Sequence, residues 1–254
     1  MVKIGITGAG GNVGTQARKG LDTHDVRPIY FDDDSSRDGP VCDIRNREAV
    51  METLDGLDVV VHLAANPSPS ASWSDCRDTN IEGTKHVYDA AVATDVERVI
   101  FATTNHVTEM YNRPTAERPE PRDPPRPIAP DDPPRPDSYY AISKVTGEML
   151  GAYHADVDGI EVVNLRIGWL LTEDELREKA ARSGRDGYYA RAMWLSPRDC
   201  QQAIRQAVEV TLPHNPITVN LTSHNSDRYL SLTQAMRWLD YRPEDNSASV
   251  NIDP

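Results

Sequence analysis

Residues 3–14 read Lys3-Ile4-Gly5-Ile6-Thr7-Gly8-Ala9-Gly10-Gly11-Asn12-Val13-Gly14, and this stretch decides the fold. The first five residues suit a short apolar strand, and the glycine-rich turn then opens a helix predicted to run to about Leu21. Gly8, Gly11 and Gly14 have the spacing GxxGxxG. Small residues are needed there because the turn is tight, a pyrophosphate must approach the backbone, and the helix must pack close to the strand. Free amides and the helix dipole then receive the anion. A glycine-rich turn alone is weak evidence. Here a strand precedes it, a helix follows, and an acid closes the next strand. That strand is predicted over Val26–Phe31 and runs into Asp32, Asp33 and Asp34. Asp32 stands 18 residues after Gly14 (32 − 14). A carboxylate there accepts both hydroxyls of an adenosine ribose and repels a 2′-phosphate, so NAD is expected over NADP.

Working outward, Val41–Asp43 is a candidate third strand and Arg47–Leu54 has helical spacing. Asp58–Leu63 and Arg98–Thr103 are continuous apolar runs, as in strands buried on both faces, and Ile81–Thr94 between them reads as a helix. Strand and helix alternate, which predicts an α/β fold with a doubly wound parallel sheet. One domain is expected over residues 1–254: a nucleotide-binding core to about residue 165, and a small substrate lobe built mainly from about 166–254. Ten prolines fall among the 25 residues from Arg113 to Asp137. No regular element survives that density, so residues 113–137 form a long loop. Its length makes it a candidate cover for an active site. Beyond it, helices are predicted over Ser138–Tyr153, Glu173–Arg182, Pro197–Val210 (capped by Ser196) and Leu230–Leu239, strands over Glu161–Ile167 and Ile217–Leu221, and a frayed polar tail.

The charge balance is −13, from 40 acidic and 27 basic side chains, which disfavours nucleic acid and anionic membranes as partners. Only Lys3, Lys19, Lys85, Lys144 and Lys179 are lysines; the remaining bases are arginines. Abundant aspartate with scarce lysine points to a halophilic protein, since near 1 M salt the screening length falls to about 3 Å and self-repulsion is damped. There is no apolar run long enough to span a membrane and no leader pattern at the N-terminus, so a cytoplasmic location is expected. Cys42, Cys76 and Cys200 match no metal spacing and no disulfide framework, and no metal is expected.

Tyr140-Ala-Ile-Ser-Lys144 is a YxxxK pattern. On a helix these two side chains share a face. A phenol titrates near 10, too high for a base at neutral pH, and an adjacent ammonium lowers that value. The pattern follows a buried strand that ends Thr103-Thr104-Asn105-His106.

Together TGAGGNVG (7–14), Asp43-Ile44, HLAA (62–65), Asn80 in NIEGT, the Thr103-Thr104 pair and YAISK (140–144) resemble the extended short-chain dehydrogenases/reductases, the NAD-dependent epimerase/dehydratase superfamily. FATTNH (101–106), LRIG (165–168), AMWLSPRDC (192–200) and LDYRPEDNSA (239–248) resemble its small sugar dehydrogenases, which include uronate dehydrogenases and haloarchaeal NAD-dependent glucose-6-phosphate dehydrogenases. The resemblance implies that Thr104 binds the reacting hydroxyl, that Tyr140 is the base, that Lys144 binds the nicotinamide ribose and lowers the pKa of Tyr140, and that Asn80 supports the lysine. It implies cofactor contacts from Gly8, Gly11, Asn12, Val13, Gly14, Asp32, Asp43, Ile44, Leu63, Ala64, Ala65, Thr103 and Ile167, and substrate contacts from Ser68, Asn105, His106 and Arg191. Acid-sugar members carry an anion-binding arginine five residues before the tryptophan of the MWLS stretch. That place is Tyr189 here, with Arg185 and Arg191 nearby, which favours a neutral aldose.

The implied reaction is oxidation of the C1 hydroxyl of a cyclic aldose, or of a sugar phosphate such as glucose 6-phosphate, to the lactone. Two other functions share parts of the pattern. A nucleotide-sugar epimerase or dehydratase retaining NAD needs a larger C-terminal lobe than the 110 residues after Lys144 supply. A non-catalytic dinucleotide sensor would not need the Tyr/Lys pair. Relatives of this type also imply a homodimer.

Overall fold

A computed structural model of the chain describes residues 2–34 and 36–251. The apolar runs become the strands of one parallel sheet. In chain order these are β1 (Lys3–Thr7), β2 (Asp25–Ile29), β3 (Val59–His62), β4 (Arg98–Thr104), β5 (Glu161–Ile167) and, after a detour, β8 (Ile217–Leu221). Their spatial order is β2-β1-β3-β4-β5-β8. The order reverses beside β1, and in a parallel sheet such a reversal opens a crevice at the carboxyl ends of the strands. The turn after β1 and Thr104 at the end of β4 both open into it. The register brings Ile4 opposite both Val26 and Val59, and Thr104 opposite Ile167.

The strands read as unbroken apolar runs because both faces are covered. Ile4, Ile6, Val61, Ile100, Leu165 and Val219 point to one side, where α1 (Asn12–Gly20), α8 (Pro197–Glu209) and α9 (Thr233–Trp238) cover them. Val60, Val99 and Val162 point to the other, under α2 (Arg47–Leu54), α4 (Gly83–Ala93) and α5 (Tyr139–Asp158). A one-residue alternation in each strand therefore feeds two cores. Ahead of α4 lie a single turn, α3 (Trp73–Asp75), and a π-helical stretch, Cys76–Glu82.

A second layer sits over the crevice. It comprises a 3₁₀ segment (Asn105–Tyr111), a two-stranded sheet of β6 (Trp169–Leu170) and β7 (Trp194–Leu195), and the helices α6 (Glu173–Ala180) and α7 (Arg185–Met193). The expected division near residue 165 is redrawn: α8 and β8 belong to the main sheet layer, and the lobe draws on residues 105–137 as well as on the stretch from β6 to β7.

Several local expectations are corrected. Val41–Asp43 makes only one bridge, between Val41 and Tyr30, because two residues cannot extend a ladder. The helix read from Ile81 is α-helical only from Gly83, and that read from Leu230 begins at Thr233. The reading passed over α7, whose glycine and paired tyrosines give a weak apolar stripe. The C-terminal stretch is anchored: Tyr241 is fully buried, and Asp245 accepts from Ser196 Oγ at 2.6 Å and from Arg198 Nη2 at 2.6 Å. The proline-rich loop is pinned by Arg135 N donating to Val107 O (2.8 Å), by Met110 N donating to Arg135 O (3.1 Å), and by an Arg126–Asp132 ion pair.

Gly147 lets α5 lie directly on β4. A Cβ there would come within 2.3 Å of the Phe101 ring, which is fully buried. Gly147→Ala is therefore expected to destabilise the fold by about 1–3 kcal/mol through overpacking. Urea titration would check this; an unchanged midpoint would show that α5 can back away from the sheet freely.

Candidate active site

The crevice is a single cavity of about 1170 Å³, large enough for a dinucleotide and a small substrate together. At one end it is floored by the glycine turn. Gly8 has φ +69°, and a Cβ there would lie 2.9 Å from Ala64 N. A Cβ on Gly14 would lie 2.4 Å from Gly8 O. Both positions exclude a side chain, so the turn presents bare backbone. The amino end of α1 has no side-chain cap and no acid in its first turn, which leaves its amides open to an anion. Gly8, Gly11, Asn12, Val13, Gly14, Asp43, Ile44, Leu63, Ala64, Ala65 and Ile167 all line the cavity. This donor set fits the pyrophosphate and adenosine of a dinucleotide. Phe31 and Arg45 line it too, with the Arg45 guanidinium 5.9 Å from the Phe31 ring. Arg45 also pairs with Asp43 at 2.6 Å, holding that carboxyl below its ordinary range.

Asp32 departs from its expected place. It is absent from the cavity wall, and its carboxylate is ion-paired with Arg37. The sequence contained both residues, but not that Arg37, five positions on, would turn its guanidinium back onto Asp32.

Thr104, Tyr140 and Lys144 converge at the middle of the cavity. Thr104 ends β4, while Tyr140 and Lys144 come from the first two turns of α5, whose start is fixed by Ser138 capping Ala141 N. Burial raises the pKa of Tyr140 to about 12, and the neighbouring Thr104 hydroxyl pulls the other way. Burial lowers Lys144 to about 7. Its ammonium donates to Ala102 O at 2.8 Å and lies 4.8 Å above the Phe101 ring. Lys144 is not among the groups that shift Tyr140; the lowering influence there is the Thr104 hydroxyl, and desolvation outweighs it. His62, buried between the Thr7 hydroxyl (2.8 Å) and the Thr84 hydroxyl (3.1 Å), is lowered to about 3 by burial and by Lys144, and stays neutral.

Asn80 acts at one remove from the lysine. Its Oδ1 accepts from Asn66 N (2.8 Å), and its Nδ2 donates to Asn66 O (3.0 Å) and Ser143 Oγ (3.0 Å), tying the loop after β3 to α5. Thr103 lines the cavity, but its hydroxyl donates away from it, to the buried Glu148 at 2.8 Å. Glu148 is in turn paired with Arg166 at 2.8 Å.

At the opposite end from the glycine turn stand Asn105, His106, Trp169 and Tyr189. Asp137 Oδ2 lies 2.9 Å from His106 Nδ1. A carboxylate only accepts, so that nitrogen carries the proton and Nε2 turns toward Tyr189 Oη, 3.5 Å away. Burial works against the Asp137 charge, yet His106 and Arg113 hold its carboxyl below the usual range. Asn105 Nδ2 donates to Tyr189 Oη at 2.5 Å. Burial, reinforced by Glu109, pushes the Tyr189 phenol well above its ordinary value, so Tyr189 stays neutral.

Two substrate expectations are corrected. Arg191 is turned to Asp227 at 2.8 Å and does not line the cavity. Ser68 hydrogen-bonds Ser70 Oγ at 2.9 Å, and its neighbours Pro67 and Pro69 face the cavity instead. No residue of the loop 113–137 lines the cavity, so its contribution runs through Asp137 and Arg113 behind the site rather than as a cover. The sequence reading missed Phe31, Arg45, Trp169, Lys179, Arg182 and Asp186, which carry no motif. Among the described residues no cluster of metal-ligating side chains forms, the three cysteines are free and buried, and no helix is long and apolar enough to cross a membrane.

The Lys144 shift has a sign that stability can report. Its folded pKa of about 7 lies below the ordinary 10.5, so the ligand-free protein bears a penalty that is full below pH 7 and fades as pH rises toward 10.5. Relative to Lys144→Met, the wild-type Tm should climb across that interval in calorimetry. Parallel curves for the two proteins would contradict a depressed lysine.

Comparison with known proteins agrees with this geometry. Residues 4–182 match the model of the NAD dependent epimerase/dehydratase family. The chain is 53% identical to an L-arabinose 1-dehydrogenase (NAD(P)(+)) of Haloferax volcanii, covering 98% of this chain and 99% of that one. It is 35% identical to an NAD-dependent glucose-6-phosphate dehydrogenase of the same organism, over 98% of this chain and 95% of the relative. Among solved structures, a glucuronic acid dehydrogenase from Chromohalobacter salexigens superposes with a TM-score of 0.79 at 27% identity, covering 97% of this chain and 85% of that one.

Proposed function

The chain belongs to the NAD dependent epimerase/dehydratase family and is an NAD-dependent oxidoreductase acting on the C1 hydroxyl of a sugar; we propose that the sugar is a neutral aldopentose, L-arabinose or a close stereochemical relative. The observation that carries this reading is the 53% identity with an L-arabinose 1-dehydrogenase along almost the whole chain. The Tyr189 hydroxyl and the Asn105 amide support it, since they offer hydrogen bonds at the place where acid-sugar members carry an anion-binding arginine.

When bound, NAD supplies the acceptor for the C1 hydride. The chain's own residues do the rest. The glycine turn and the amides of α1 hold the pyrophosphate. Thr104 orients the C1 hydroxyl, and Tyr140, as phenolate, takes the hydroxyl proton while the C1–H bond breaks, leaving the lactone. Lys144 stands behind Tyr140 on the same helix face and binds the ribose hydroxyls. Asn105, His106 and Tyr189 place the remaining hydroxyls. Most of the rate gain comes from holding the two reactants in one crevice.

Tyr140 must shed its proton before it can accept another, and its pKa of about 12 makes that form scarce at neutral pH. Turnover should therefore rise steadily with pH on the alkaline side. Tyr140→Phe should lower kcat by about a hundred- to ten-thousand-fold. NADH formation with arabinose, xylose, glucose 6-phosphate and galacturonate would check the substrate class: neutral pentoses should lead. A phosphorylated or acidic sugar turned over best would refute the neutral-aldose reading, and near-normal turnover of Tyr140→Phe would refute the base.

The same reading extends to the setting. The charge of −13 and the scarcity of lysine suit an enzyme of a saline cytoplasm. Tyr139, Met149, Tyr153 and Val157, each more than half exposed, line one face of α5 together with Ile142 and Thr146. Asp156, near the C-terminal end, is the one charge on this face of an otherwise acidic molecule, so a second copy of the chain meets least repulsion there and completes a homodimer. Sedimentation at high KCl should give a dimer that Met149→Asp converts to monomer; a wild-type monomer at all salt concentrations would exclude it.

A further inference from the structure

Glu109 sits in the 3₁₀ segment that follows Thr104, with 1% of its surface exposed, and does not line the cavity. Its partners come from separate stretches of chain. Arg185 Nη2, at the start of α7, donates to Oε1 at 3.2 Å. Arg113 Nε, in the proline-rich loop, reaches the same oxygen at 3.4 Å. Tyr229 Oη donates to Oε2 at 2.9 Å. Two of these partners lead back to the sugar end. Arg185 lies one turn before Tyr189 on α7, so the two share a helix face. Arg113 Nη1 lies 3.2 Å from Asp137 Oδ2, the oxygen that orients His106. We propose that Glu109 is a positioning residue for the sugar: through Arg185 it sets Tyr189, and through Arg113 and Asp137 it sets His106, so that both hydrogen-bonding groups are tied to one buried carboxylate.

A carboxylate is costly to bury. Burial pushes the Glu109 pKa upward, against the pull of Arg113, the Tyr229 hydroxyl, His106 and Arg185. For stability alone, an apolar side chain packed at that point would serve as well. What the carboxylate adds is direction: it accepts from Arg185, Arg113 and Tyr229 at once, and each donor fixes a different segment. The link to α7 matters most, because that helix starts after Gly184 with no side-chain cap. Its first turn is held from outside, by Arg185. A separate stripe of α7 is tied to Asp227, by Tyr188 Oη to the backbone oxygen at 2.8 Å and by Arg191 to the carboxylate at 2.8 Å. Loss of the Glu109 contact would leave the helix in place but let Tyr189 drift against Asn105 and His106. The reacting centre stands apart from this linkage. Tyr140 and Lys144 are fixed to β4 by the Lys144 contact with Ala102 O. Substrate affinity and the chemical step should therefore respond separately.

This inference rests on the sugar-oxidation reading. Its test measures the KM for sugar and for NAD at constant KCl, using the sugar that the wild type oxidises best. Glu109→Gln keeps the shape of the side chain and its bond to Tyr229 while removing the charge. It should raise the sugar KM about tenfold, as expected for loss of a charge-assisted hydrogen bond, with kcat and the NAD KM within about twofold of wild type. Arg185→Gln, at a side chain that is 37% exposed, should do the same. The double variant should be no worse than the single ones, because both cut one link. A carboxylate serving stability alone would lower Tm and leave the sugar KM of the folded enzyme where it was. An unchanged sugar KM in Glu109→Gln, an NAD KM that rises in step with it, or effects that multiply in the double variant would overturn the proposal. Should Glu109→Gln fail to fold, the sugar KM of Arg185→Gln decides in the same way. No NADH from any sugar in the wild type would fail the oxidation reading and the inference with it, whereas an active wild type with unmoved variants would fail the inference alone.

Discussion

The burial of the Lys144 ammonium in the seam between α5 and β4 is the constraint on which the rest of the site depends. An amine is seldom placed there, because taking its charge out of water is expensive. Here it is met by one carbonyl, Ala102 O, and by the face of Phe101. Both belong to β4, so the lysine fixes the helix to the strand that ends in Thr104. Gly147, one turn further along, removes the side chain that would otherwise hold the two elements apart. Thr104 and Tyr140 meet because of that contact. The parallel sheet does the remaining work by directing the ends of β1, β3, β4 and β5 to one edge, where the glycine turn already faces.

The two ends of the cavity are built on different electrostatic terms. At the nucleotide end, backbone amides and paired charges dominate: Asp43 with Arg45, Asp32 with Arg37. At the sugar end Asn105 and Tyr189 offer neutral hydrogen-bonding groups, Lys179, Arg182 and Asp186 line the same cavity from the lobe, and further charges stand one layer back. Asp137 fixes His106, and Arg113 and Arg185 hold the buried Glu109. Glu109 in turn accepts from Tyr229 Oη at 2.9 Å.

What the sequence made legible were features whose physics is local. The glycine turn is set by steric limits within eight residues, the strands by apolar runs, and the Tyr140–Lys144 pair by helical spacing. What it concealed depends on contacts between distant segments. Nothing near Asp32 announced that Arg37 would fold back onto it. Asn80 was legible as a site residue, but its partners Asn66 and Ser143 come from two other elements. Arg191 had the right charge at nearly the right place, and only the position of Asp227, 36 residues on, turned it away. Tyr189 was visible as a departure from the acid-sugar pattern, whereas its hydrogen bond to Asn105 spans 84 residues. The proline-rich loop was correctly an irregular segment, but its course over the lobe is fixed by hydrogen bonds from the 3₁₀ segment and by Asp132, not by its prolines.

Oxidation at C1 is tested most directly by label transfer. L-Arabinose deuterated at C1 would be incubated with the purified enzyme and excess NAD, and the products analysed by mass spectrometry. Deuterium should appear in NADH in one-to-one proportion with the lactone formed. Recovery of the deuterium at C1 of unreacted or epimerised sugar, with no labelled NADH released, would contradict the assignment and point to an enzyme that retains its cofactor through the cycle.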